Sequence, residues 1–347
     1  MGSYLEFNYD EIDWGKKIEA LLKIDTVTDI NVRNNELWVN DIKKGHYKIK
    51  DVSKTEIMEV ANRLGNNIAN RMNNNFNLGA PILDGNSGVI RVNAIHSSLT
   101  EKYNAIAIRK TPINLRLTEK YIIDSNYATK KIMEILKQLV IAKANIVICG
   151  ITGSGKTELL KYLSKDILDN ESIITIEDTW ESHLKDIYPK KDILALKSND
   201  EANFSDLIKA SLRQNPDRIF VSESRGKEVL DLLNSMSTGH NIITTIHTSS
   251  ADEIPTRMIE MAGANQDEEK LKKRIHRYVD IGIFINITQN KHGIERKIFE
   301  VVEFSYEDDK YIVNTIYEYD FINKEDKYND FVSNKLIRKL SLVKELT

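Results

Sequence analysis

Eight residues, Gly150-Ile151-Thr152-Gly153-Ser154-Gly155-Lys156-Thr157, have the types and spacing of a phosphate-binding loop. Glycines let the backbone N–H groups wrap an anion at the positive end of a helix, where no other cradle is needed. Lys156 adds a charge suited to β- and γ-phosphates, and Thr157 offers a hydroxyl to Mg²⁺. The flanks agree. Ile146-Val147-Ile148-Cys149 reads as a strand entering the loop, and a helix is expected over Glu158 to Leu168. Gly150, Thr152, Gly153, Ser154, Gly155, Lys156, Thr157 and Glu158 are therefore the candidate nucleotide contacts.

Two further runs put acids at the carboxyl ends of expected strands, where open α/β sheets bind ligands. Ile173-Ile174-Thr175-Ile176 leads into Glu177-Asp178, and Arg218-Ile219-Phe220-Val221 leads into Ser222-Glu223-Ser224-Arg225. Glu223 is placed to help hold Mg²⁺ or its waters, and Glu177 to orient and polarise an attacking water. A third strand, Asn241 to Ile246, ends at His247, which would reach the same edge and sense the γ-phosphate if the strands are neighbours. His240, at the other end of that strand, would lie away from the nucleotide.

The chain that must position these groups has 347 residues, long for one core and comfortable for two. With 41% hydrophobic and 29% charged residues it has the make-up of a packed globule. Its single cysteine, Cys149, excludes a disulfide framework and a four-cysteine zinc site, and suits a reducing cytoplasm. The net charge is −3, with +2 over residues 1–118 and −5 over the rest, so neither part is the basic body of a dedicated nucleic-acid binder. The opening Met1-Gly2-Ser3-Tyr4-Leu5-Glu6-Phe7 lacks the layout of a secretory signal. The most apolar stretch, Ile132 to Ile151, is interrupted by Lys137, Gln138, Lys143 and Asn145 and does not read as a membrane span.

Residues 1–118 read as a mixed α and β domain. A helix is expected from Lys16 to Ile24, then a hairpin of Ile30 to Arg33 and Leu37 to Val39 turning at Asn34-Asn35. Ser53-Lys54-Thr55-Glu56 has the capping-box pattern in front of a helix carrying Ile57, Val60, Ala61, Leu64 and Ile68 on one face. Asn73 to Gly88 reads as a connection, followed by strands over Val89 to Ile95 and Asn104 to Arg109, each bearing one arginine, Arg91 and Arg109. A junction is placed at 119–126. Residues 127–347 then open with a helix over Thr129 to Ala142 and alternate strands with helices at Phe204 to Leu212 and Lys227 to Met236, the rhythm of a parallel sheet covered on both faces. Val279 to Ile287, Arg296 to Phe304 and Lys310 to Tyr319 read as an antiparallel meander with turns at Lys291-His292-Gly293 and Glu307-Asp308-Asp309, and a last helix is expected from about Asp330. The fold class is thus α/β with an antiparallel extension, plus a smaller α+β N-terminal domain.

Taken in order, the loop 150–157, the run Ile174 to Glu181, the run Leu212 to Gly226, and Thr238-Gly239-His240 through His247-Thr248 resemble the Walker A, Asp box, Walker B and His box of the type II/type IV secretion ATPases. Within that family the Glu223-Ser224-Arg225-Gly226 form and the missing cysteines are similar to the tight-adherence pilus and conjugation branches. Ser222 stands where the family usually has Gly, and Ser224 where Val, Met or Cys is usual; neither change removes a charge. The resemblance implies a RecA-like C-terminal domain, ATP and Mg²⁺ as ligands, a homo-hexameric ring, and docking on inner-membrane secretion or pilus platform proteins from the cytoplasmic side. It also implies that Arg91 and Arg109 reach the phosphates, with Arg213, Arg218 and Arg225 as further candidates whose contacts stay open between phosphate and subunit interface. The expected activity is ATP hydrolysis driving secretion, pilus assembly or conjugative transfer. A nucleic-acid-stimulated motor, which would need a basic channel, and a nucleotide-gated switch with little turnover are the alternatives.

Overall fold

The computed structural model describes residues 5–6, 8–290, 293–329 and 332–346. Among them the chain forms two compact units. The smaller takes the chain through Ile113, with Thr179–Glu181 and Gln289–Ile294; the larger takes the rest.

In the smaller unit the described elements are β1 (Leu5–Glu6), α1 (Lys16–Leu22), β2 (Val27–Arg33), β3 (Glu36–Asp41), β4 (Gly45–Lys48), α2 (Lys54–Arg71), β5 (Ile82–Ser87), β6 (Ile90–Ile95) and β7 (Ala105–Lys110). The strands make one sheet in the order β1-β5-β6-β7-β2-β3-β4. Asn34 and Asn35 both take positive φ, which lets the two-residue turn between β2 and β3 match the strand twist. The Ser53 hydroxyl accepts from the Glu56 amide at 3.2 Å and starts α2. Ile57, Leu64 and Ile68 of α2 then bury against Ile30, Val39, Val92 and Ile108 of the sheet. The connection expected over Asn73 to Gly88 is corrected here. Its second half is β5, because six backbone pairings with β6 outweigh the turn preference of Asp84-Gly85-Asn86.

The larger unit contains α3 (Glu119–Asp124), α4 (Lys130–Ile141), β8 (Ile146–Cys149), α5 (Lys156–Leu163), β9 (Ser172–Glu177), α6 (Leu184–Ile187), β10 (Asp192–Lys197), α7 (Phe204–Ser211), β11 (Arg218–Val221), α8 (Glu228–Ser237), β12 (Asn241–Ile246), α9 (Ile254–Ala262), α10 (Glu268–Tyr278), β13 (Ile281–Asn290), β14 (Gly293–Glu307), β15 (Lys310–Asp320), β16 (Glu325–Tyr328) and α11 (Asn334–Leu346). The stretch 119–126 holds α3, capped by Thr118, and buries Ile122. The sheet order is β10-β9-β11-β12-β8-β13-β14-β15-β16. From β10 through β13 all neighbouring strands run parallel. Alternate residues serve opposite faces: Ile146 and Ile148 pack with Leu136, Leu139, Leu159 and Leu163, whereas Val147 and Cys149 pack with Val229, Leu232 and Ile254. Both faces are covered, as the near-continuous apolar strands require.

The expected meander changes character at its first strand. Ile281 to Phe284 pair in parallel with Ile146 to Cys149, so β13 closes the parallel core before β14, β15 and β16 extend the same sheet. Val279 is not in the strand, and the expected Lys291-His292 turn lies outside the described residues. The last helix begins at Asn334 rather than near Asp330, and Asp330 itself is outside the described residues.

Arg218, a phosphate candidate on sequence, is excluded from that role. It is the first residue of β11, at the end of the sheet opposite the loop, and its side chain is fully enclosed. It donates from Nε and Nη2 to the Glu171 carboxylate and from Nη1 to Asn241 Oδ1 at 2.9 Å. Removing one partner of such a pair strands a buried charge, so Arg218→Ala is expected to cost about 3–5 kcal/mol in urea unfolding. Nucleotide affinity of the folded variant should match that of the wild type.

Candidate active site

The parallel strands bring the sequence candidates of the larger unit to one edge. Strand β8 delivers the loop, β9 ends on Glu177, β11 ends two residues before Glu223, and β12 ends one residue before His247. Because β9, β11, β12 and β8 are successive neighbours, all four carboxyl ends share that edge.

Backbone conformation shapes the loop. Gly150 has φ 149°, and a Cβ there would collide with the Ile285 carbonyl and the Ser154 side chain. Gly155 takes φ 96° at the N-cap of α5, which begins at Lys156, so the helix starts two residues earlier than the spacing suggests. Lys156 is a 7% exposed residue whose ammonium donates to the Gly150 carbonyl at 2.9 Å and the Ile151 carbonyl at 3.2 Å. It also meets His247 Nδ1 at 3.3 Å, while His247 Nε2 lies 3.0 Å from Glu223 Oε1. A neutral imidazole with its proton on Nε2 satisfies both contacts, accepting from lysine and donating to the carboxylate. Burial, and then the Lys156 charge, push the His247 ring below its ordinary 6.5 despite the pull of Glu223, which favours that neutral form.

Glu223 continues the chain of contacts. Arg225 grips it with Nε on Oε1 at 2.8 Å and Nη2 on Oε2 at 2.9 Å, and reaches Asp178 Oδ2 with Nη1 at 2.9 Å. Burial would raise the Glu223 carboxyl, but the Arg225 fork, helped by His247 and Lys156, holds it below the usual carboxylate value. Glu177 is 1% exposed, and one of its oxygens accepts from the Ser182 amide at 3.2 Å.

Glu158 turns its carboxylate to Lys161 at 3.0 Å and to the Arg116 amide at 3.1 Å. That leaves its backbone N–H as the group suited to an anion. Arg213 lies exposed in the short turn before β11, and His240 precedes β12 at the far end. Arg91 and Arg109 belong to the smaller unit, where they stand directly opposite each other on β6 and β7. Asp29, opposite Arg109 on β2, accepts from its Nε at 2.8 Å; burial works against the Arg109 charge, but Asp29 outweighs it. Like charges facing across a ladder repel, and the Asp29 carboxylate offsets that repulsion at Arg109.

Two contributors were not read from the sequence. Arg296 on β14 donates from Nε to the Gly153 carbonyl at 2.9 Å, a tertiary contact across 143 residues that no local pattern announces. Asp178 was visible only as the neighbour of Glu177. Mg²⁺ fits the oxygen donors present, since Thr157 offers a hydroxyl and Glu223 a carboxylate. A metal held by few protein groups and by nucleotide phosphates is the usual arrangement for Mg²⁺.

A glycine-rich loop between a central parallel strand and a helix, with acids and a histidine on the neighbouring strand ends, defines a phosphate-loop nucleotide site on a RecA-like sheet. A family model described as type II/IV secretion system protein matches residues 48–282, and the chain belongs to that family. An uncharacterized protein of Bacillus anthracis is 32% identical over 316 residues, covering 87% of this chain and 71% of that one. The type IV secretion system protein VirB11 of Bartonella quintana is 35% identical over 188 residues, 52% of this chain and 51% of its own. The solved structure of the Legionella pneumophila ATPase DotB has the same fold, with a TM-score of 0.63 over 88% of this chain and 85% of that one at 22% identity. Among the described residues no helix is long and apolar enough to cross a membrane.

Proposed function

We propose that this chain hydrolyses ATP and uses the cycle as a motor for secretion, pilus assembly or conjugative transfer. The observation that carries the reading is the unbroken chain Lys156, His247, Glu223, Arg225, Asp178, drawn from four strand ends onto one phosphate loop. The amides of 150–158 wrap the phosphates, and Lys156 leaves its own loop carbonyls for the β- and γ-oxygens. Thr157, with support from Glu223, would hold Mg²⁺, which would neutralise phosphate charge when bound. His247 changes partner when a γ-phosphate arrives, which ties occupancy to the Glu223 carboxylate. Glu177, anchored by the Ser182 amide, orients and polarises the attacking water.

The paired guanidiniums of Arg91 and Arg109 suit recognition of a phosphate bidentately, and in this reading they act on nucleotide from the smaller domain. The chain works as a homo-hexameric ring, cytoplasmic and peripheral at the inner membrane through platform proteins, without contacting nucleic acid directly. Type IV secretion in the VirB11 relative supports the choice of machine. Solution mass with and without a non-hydrolysable ATP analogue tests the assembly: a six-fold mass in at least the analogue-bound sample is expected, and a monomer under both conditions would contradict the ring.

A further inference from the structure

Arg225 is exposed over 61% of its side chain, yet its position is fixed from both sides. Upstream, the Ser222 amide donates to the Ile176 carbonyl at 2.9 Å and continues the β9 ladder. The Ser224 amide donates to the Thr245 carbonyl at 2.8 Å, and the Ser224 and Thr244 hydroxyls meet at 2.9 Å. Downstream, the amides of Arg225 and Gly226 both donate to Glu228 Oε1, at 2.6 and 2.9 Å. An exposed ion pair normally contributes little, because two long side chains must be ordered to make it. Here the backbone is already held, and the planar fork meets one carboxylate with two parallel bonds and a second with its remaining amino group.

From this geometry we infer that Arg225 is a positioning residue that clamps the end of β9 to the end of β11 through Asp178 and Glu223. Asp178 follows Glu177 directly in the chain, so the clamp fixes the separation between the acid that orients water and the acid that supports the metal. The inference rests on the ATPase reading for its effect on turnover, whereas the clamp itself is a statement about two strand ends. Lysine cannot serve, since a single ammonium lacks the fork that holds both carboxylates.

The test is a double-mutant cycle on the full chain with Arg225→Gln, Asp178→Asn and the pair, read in kcat, KM for ATP and amide hydrogen exchange. Each single variant is expected to lose about tenfold or more in kcat with KM changed less than about twofold, because positioning acts on the transition state more than on ground-state binding. The double variant should lose no more than the worse single, and Arg225→Lys should resemble Arg225→Gln. Amides of 178–183 and 222–226 should exchange several-fold faster in each variant while all other amides keep wild-type protection. Additive kcat losses, wild-type turnover in Arg225→Gln, unchanged exchange at these segments, or faster exchange throughout the chain would each overturn the clamp. If exchange changes as expected but the wild type releases no phosphate, the clamp stands and the ATPase reading fails.

Discussion

Lys156→Ala is expected to abolish steady-state phosphate release, by at least about 10²-fold, the scale for losing one preorganised charged donor in a site shielded from water. The fold should survive. The ammonium is satisfied by the Gly150 and Ile151 carbonyls and by His247. Removing it exposes no apolar core, and it relieves the loop of a largely buried cation. Binding should weaken as well, because the lysine contacts phosphate in both the ground state and the transition state. Thermal unfolding beside a phosphate-release assay separates the cases: a wild-type midpoint with no turnover is the expected pair, and normal turnover would sink the site assignment.

Glu177→Gln is expected to behave differently. Glutamine keeps the size and can still accept from the Ser182 amide, which now reaches the Glu177 carboxylate at 3.2 Å. It cannot take a proton or polarise water as an anion does. Turnover should therefore fall by about 10²–10⁴, the usual weight of a general base, with ATP affinity close to that of the wild type. A variant that binds ATP, retains it and assembles normally is the predicted phenotype. Equal losses in binding and turnover would place Glu177 in nucleotide binding rather than in activation of water.

Much of the site was legible because its parts are local. Strand, glycine loop and helix run consecutively through 146–163, and β11 occupies 218–221 as its apolar run indicates. Acids directly after apolar strands mark an edge whatever the strand order, and the order then brought Glu177, Glu223 and His247 together. What escaped depends on partners distant in the chain. Strand β5 looks like a turn until β6 pairs with it, and β10, with its Leu-Ala-Leu centre, has no strand signal beyond its pairing with β9. The parallel attachment of β13 to β8 is invisible in a sequence where β13 precedes an antiparallel run. Arg218 shows the reverse error: a basic residue in a functional motif proved to be buried against Glu171 at the opposite end of its strand. Arg296 has no neighbouring signal, since its partner is the backbone of Gly153.

A single-turnover experiment most directly separates a motor from a nucleotide-gated switch. Purified full-length chain is loaded with Mg²⁺ and a substoichiometric amount of ATP, and phosphate release is followed beside nucleotide binding in the same sample. Conversion of essentially all bound ATP to ADP and phosphate by the wild type, with the nucleotide remaining as ATP on Glu177→Gln, is the predicted result. Tight binding of ATP by the wild type with no phosphate released would contradict it.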